Sequence, residues 1–97
     1  MTKVALLVKL EAKPGKEKEL ADFLRSGLAL VNDEPKTITW YGFQLGPSTF
    51  AIFDTFMDEI GRNAHLEGRV AAALMANAPY LLAKEPVIEF AEVLAAK

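Results

Sequence analysis

The chain lacks cysteine altogether and has a single histidine and a single tryptophan among its 97 residues. Without cysteine there can be no disulfide, no thiolate nucleophile and no sulfur-ligated metal, a composition compatible with the reducing cytoplasm in which we expect the protein to reside. One histidine cannot supply the clustered ligands of a zinc site, so no metal is expected. An excess of basic charge is also missing: 11 Lys and Arg stand against 13 Asp and Glu, a net charge of -2. Phosphate binding needs a concentrated basic face, and these cations are scattered, so no nucleic-acid partner is expected. Apolar runs stay short of the roughly 20 residues that cross a membrane. The longest uncharged stretch, Thr37 to Phe53, holds Gly, Pro, Gln and several hydroxyls, and the N-terminal run is broken by Lys9 and Glu11 and has no small-residue cleavage site. Neither a membrane segment nor a signal peptide is expected. A glycine-rich phosphate loop is lacking too, since Gly46-Pro47 reads as a turn.

What is present suits one domain spanning residues 1–97, with 52% hydrophobic residues to form a core. Lys3 to Ala12 alternates as a strand does, with Val4, Leu6, Val8 and Leu10 on one side. Lys13-Pro14-Gly15 ends it, and from Lys16 the spacing of Leu20, Phe23, Leu24, Leu28 and Val31 predicts an amphipathic helix that Asn32-Asp33-Glu34-Pro35 stops. Two strand-like runs flank Gly46-Pro47 and predict a tight hairpin. A two-residue loop there would pair Phe43 with Phe50, Tyr41 with Ile52 and Thr39 with Asp54 on one face, and Trp40 with Phe53 on the other. Asp58 is an N-cap candidate for a second helix. Gly68 interrupts that helix, Arg69 to Asn77 continues it, and Pro79 is expected to end it. Tyr80 to Leu82 then connects to a last strand over Pro86 to Leu94.

The order βαββαβ predicts an α+β, ferredoxin-like domain: an antiparallel four-stranded sheet with its helices on one face. Both faces of the hairpin carry large apolar groups, and helices cover only one of them. A homodimer closed through the other sheet face is therefore expected, burying about 1,500 to 3,000 Å².

The stretch EAKPGKEKELADFL at the first strand-to-helix junction, followed by WYGFQLGPSTFAIFDTFMDEIGRNAHLEG, resembles the antibiotic biosynthesis monooxygenase-like family of dimeric α/β barrels. The likeness covers nearly the whole chain. It is carried by the K-P-G-K-x-x-E-L opening, by Asp54-Thr55-Phe56, and by D-E-x-x-x-x-A-H-L over Asp58 to Leu66. The resemblance implies a small apolar pocket between sheet and helices in each protomer. In some members it also implies cofactor-independent oxygenation of aromatic substrates, an oxidoreductase activity that needs no bound cofactor. Haem-degrading relatives need an axial histidine and a first-strand asparagine; here those neighbourhoods read VAAALMA and LLVKL, so haem is not expected.

The candidate catalytic residues are His65, Asn63, Trp40 and Tyr41, with Phe43, Phe50, Phe56 and Asp54 as substrate-binding walls. His65 is the one side chain that exchanges protons near neutrality, its alternative being a structural histidine on the helix surface or an interface. Asn63 lies two positions earlier, so the two do not share a helix face and at most one meets the pocket. Trp40 and Tyr41 point to opposite faces of their strand, and which of them turns to the helices stays open. Asp54, a carboxylate in an apolar strand, needs a partner. Arg62 and Arg69 are the candidates for an ion pair, with a general-base role as the alternative. The chemistry expected is oxygenation of a small hydrophobic aromatic molecule. The alternative is a non-catalytic dimer of the same fold that binds a small ligand or serves as a stress-related accessory.

Overall fold

β1 (Val4–Glu11) is the most apolar strand of the sequence, and it occupies the centre of the sheet. The computed structural model describes residues 2–97. β1 pairs on one side with β3 (Thr49–Phe56) and on the other with β4 (Val87–Glu92), while β2 (Thr37–Gln44) lies outside β3. All pairings are antiparallel, in the order β2-β3-β1-β4. Three helices, α1 (Glu17–Val31), α2 (Glu59–Leu66) and α3 (Arg69–Leu81), complete the ferredoxin-like α+β fold expected from the element order. Gly15 makes the turn into α1 with a φ of 86°, a left-handed conformation that only glycine adopts freely. The core forms where Leu20 and Leu24 of α1 and Leu74 and Leu81 of α3 meet Val8, Leu10, Phe50 and Ile52 of the sheet.

The hairpin register differs from the expected one by a residue. Trp40 stands opposite Asp54, Tyr41 opposite Phe53, Phe43 opposite Ala51 and Gln44 opposite Phe50. The loop uses Gly46, Pro47 and Ser48, with the Leu45 and Gly46 amides both donating to the Thr49 carbonyl, at 2.8 and 3.3 Å. The cause lies on another strand. The Glu11 carboxylate of β1 accepts from Ser48 Oγ at 2.6 Å and from Thr49 Oγ1 at 2.9 Å, which fixes where β3 begins. Those hydroxyls hold the Glu11 carboxyl below the usual carboxylate range. A one-residue slip exchanges the faces of a strand. Phe43 and Phe50 therefore lie on opposite faces, as do Trp40 and Phe53. Trp40 goes with Asp54 and Ile52 to the helical side, and Tyr41 goes with Phe53 to the open side.

A second difference concerns Pro79, which does not end helical structure: α3 continues through it to Leu81. Proline inside a helix costs about 3 kcal/mol. Here Leu81 and Leu82 are both buried, and a buried leucine contributes about 1.5–3 kcal/mol, enough together to offset that cost. The last strand is also shorter than expected, ending at Glu92 rather than Leu94.

Candidate functional site

Asp54 is placed by the register on the helical face of β3, where it is fully buried. Two residues later β3 ends, and Asp58 caps α2 by accepting from the Gly61 amide at 3.0 Å. That cap sets the helix phase so that Arg62 and His65, three apart, turn inward while Asn63 and Ala64 face solvent. The His65 ring packs on Phe56 with centroids 5.4 Å apart. Its Nε2 lies 2.9 Å from Asp54 Oδ2, and its Nδ1 lies 2.5 Å from Oε1 of Glu34, in the loop after α1. Thr37 Oγ1 donates to the same Glu34 oxygen at 2.8 Å.

The histidine is thus held between two carboxylates. Burial alone lowers its pKa by disfavouring the charged ring, but the contacts with Asp54 and Glu34 and their negative charge outweigh it, and the pKa is raised above 6.5. The partner of Asp54 is this ring, not the arginines expected from the sequence. Arg62 spreads its guanidinium over the Phe90 ring at 4.6 Å and reaches the Ala5 and Ala91 carbonyls, while Arg69 pairs with Asp33 at 2.7 Å. Glu34, Asp54 and the ring are strung along a line rather than gathered around a point, and no group of three potential ligands among the described residues is arranged to hold a metal ion.

Beside this cluster, between sheet and helices, lies an apolar cavity of about 110 Å³ walled by Leu6, Val8, Phe23, Leu24, Trp40, Ile52, Asp54, His65, Val70 and Leu74. Three buried polar atoms on its wall residues have no hydrogen-bond partner among the described residues: both carboxylate oxygens of Asp54, of which Oδ2 meets His65 only as an ion pair, and the indole Nε1 of Trp40. The two residues are directly cross-strand from each other. Trp40 also lines an open groove of about 390 Å³ between α1 and the edge of the sheet, so its ring and Leu24 form the wall between the two spaces. That wall is tight, because a Cβ on Gly27 or Gly42 would come within 3.4 or 3.3 Å of the indole.

Of the residues singled out in the sequence, His65, Asp54 and Trp40 are brought together at the cavity. Phe56 backs the histidine, and Phe50 belongs to the core beneath the groove. Tyr41, 58% exposed, and Phe43 belong to the open sheet side and reach only the groove. Asn63 is exposed and lines neither space. Glu34 was missed, since before a proline at the end of a helix it reads only as a stop signal. Each ring nitrogen of His65 has a carboxylate beside it, and the free acceptor among the cavity's wall residues is the Asp54 carboxylate.

No protein-family model and no curated protein matches the chain. Solved structures do. PA3566 from Pseudomonas aeruginosa has a TM-score of 0.83 at 20% identity, over 98% of this chain and 97% of that one. A protein from Caulobacter crescentus described as a "putative antibiotic biosynthesis monooxygenase" has a TM-score of 0.83 at 16% identity, over 97% of this chain and 92% of that one. The fold is accordingly that of the antibiotic biosynthesis monooxygenase-like proteins, as the sequence resemblance implied. A far nearer match is NE2512, a protein of unknown function from Nitrosomonas europaea, with 61% identity over 100% of this chain and 94% of that one and a TM-score of 0.98. The chain belongs to the same family as NE2512.

Proposed function

We propose that the cavity between sheet and helices binds a small hydroxylated aromatic molecule, and that the protein is a cofactor-independent monooxygenase acting on it. The observation that carries this reading is the presence, on two wall residues of one apolar cavity, of a buried carboxylate and a buried donor without hydrogen-bond partners: Asp54, whose Oδ1 is also clear of His65, and Trp40 Nε1. A phenol matches both. Its O–H donates to the carboxylate and its oxygen accepts from the indole, while the ring takes the apolar walls. Asp54 is the base, and the indole N–H stabilises the phenolate as charge develops on it. An electron-rich phenolate can reduce dioxygen itself. The overall change would be a ring C–H opposite the hydroxyl becoming a carbonyl, with a quinone and one water formed from phenol and O₂. A benzene ring occupies a cavity of about 150 Å³. The 110 Å³ space is smaller, so entry requires the Trp40 wall to give way toward the groove.

We also infer that the protein forms a homodimer through the open sheet face, where Tyr41, Phe43 and Val87 are exposed.

The enzyme reading is tested by following oxygen uptake and thermal shift with a panel of mono- and bicyclic phenols. Uptake is expected with at least one of them, reduced about 10²-fold or more in Asp54→Asn as for loss of a general base, and reduced less in Trp40→Phe. A thermal shift without uptake would leave a ligand-binding protein in place of an enzyme. Neither response from any compound would sink both.

A further inference from the structure

The His65 ring borders two spaces. On one side it lines the apolar cavity together with Asp54; on the other it lines a surface hollow of about 290 Å³ together with Glu34. Among the described residues no other is shared by the two spaces. The inner side chain, Asp54, is 0% exposed and the outer one, Glu34, 17%, although Glu34 Oε2 itself is buried and has no hydrogen-bond partner among the described residues. From inside to outside, the contacts are Asp54 Oδ2 to Nε2 at 2.9 Å, then Nδ1 to Glu34 Oε1 at 2.5 Å.

We propose that Asp54, His65 and Glu34 form a proton relay from the cavity to solvent, in which a ligand hydroxyl giving its proton to Asp54 causes a proton to leave the protein at Glu34. The inference rests on the reading of the cavity as a binding site for a hydroxylated molecule. It adds Glu34 as a positioning residue, one that acts through His65 and never touches the ligand.

The chemistry balances as follows. Lying between two carboxylates, the ring is favoured in its imidazolium form, which compensates the otherwise costly charge of Asp54 on an apolar cavity. When Asp54 Oδ1 takes the ligand's proton, the imidazolium loses one of the two anions that hold it charged, and its burial then favours the neutral ring. The Nδ1 proton passes to Glu34 Oε1 and on to water, leaving the neutral ring with its hydrogen on Nε2 and Glu34 again a carboxylate. One proton has moved from ligand to Asp54 and one from His65 to solvent. Ligand departure reverses both transfers.

The surroundings favour this direction. Thr37 Oγ1 donates to Glu34 Oε1 and keeps the carboxylate aimed at the ring. A Cβ on Gly68, at the corner between α2 and α3, would lie 2.8 Å from Glu34 Oε2, so this glycine lets the corner close on the acid. Other charged groups do not compete for the ring. Arg62, on its own helix, is committed to backbone carbonyls, Glu59 and Phe90, and Asp33, at the hollow, to Arg69. Lys36 lines the hollow with Glu34, and Asp58 is engaged as the α2 cap.

Two measurements test the relay. Calorimetric titration of a phenol that binds, run at pH 7 in two buffers of different ionisation enthalpy, should show about one proton released per site in the wild type. Glu34→Gln should keep affinity within a few-fold yet release none. Binding by the wild type without proton release, or unchanged release in Glu34→Gln, overturns the relay while leaving the binding site intact; no binding by any phenol removes the site and the relay together. Without ligand, an NMR titration of the His65 ring should show its midpoint moving down in Glu34→Gln while the backbone amide spectrum is retained. An unmoved midpoint overturns the role of Glu34.

Discussion

A histidine with a carboxylate on each ring nitrogen makes its contribution to stability through its charge, and the sign of the effect with pH follows from that. Against the opposing effect of burial, its two carboxylate neighbours raise the folded-state pKa of His65 above the ordinary 6.5. Its stabilising contribution is therefore complete below about pH 6.5 and is lost as pH rises through the folded value. Denaturant midpoints of the wild type are expected to fall from pH 6.5 toward pH 9, and in His65→Gln to stay level over that range. A wild-type midpoint that is flat there would remove the charged ring from the account. His65→Ala strands Asp54 as a buried carboxylate and is expected to cost about 3–5 kcal/mol near pH 6. At this scale the sequence was only partly informative. It marked Asp54 as a carboxylate needing a partner and His65 as the proton-exchanging side chain, yet nothing in their spacing said that each was the other's answer, because β3 and α2 meet only after the chain has turned at Asp58.

Elements were more legible than contacts. The 3.6-residue rhythm of α1, the breaks at Pro35 and Gly68 and the Asp58 cap are local features, and the helix positions followed them. The cap also carries function, because it phases α2 so that His65 and not Asn63 faces inward. Asp58→Ala is expected to cost about 1 kcal/mol, read from equilibrium unfolding. It should also loosen the His65 ring, visible as a broadened ring resonance; a variant as stable as wild type would show that the cap is dispensable. The hairpin register was not legible. Gly46-Pro47 admits loops of either two or three residues, and the choice was made by Glu11 on a strand far away in sequence, whose carboxylate grips Ser48 and Thr49. That choice sends Trp40 to the cavity and Tyr41 to the open face.

For the whole molecule, the outstanding feature is a sheet with helices on one side and exposed Tyr41, Phe43 and Val87 on the other. Apolar groups gathered on one face favour a partner surface. Sedimentation at micromolar concentration is expected to give twice the 10.6 kDa chain mass, and Phe43→Asp to shift the population toward the single chain. A wild-type monomer would refute the dimer.

The residue order by itself determined the fold class, the order of the strands and helices and most of their boundaries, the ends of α3 and β4 excepted, and the absence of cysteine chemistry, because alternation, capping and chain breaks act within a few residues. Only the tertiary structure decided which side of the hairpin meets the helices, that Asp54 pairs with His65, and that Glu34 closes the chain of groups to the surface. Those three outcomes depend on register and on the meeting of a strand, a loop and a helix, where one residue of slip exchanges inside for outside.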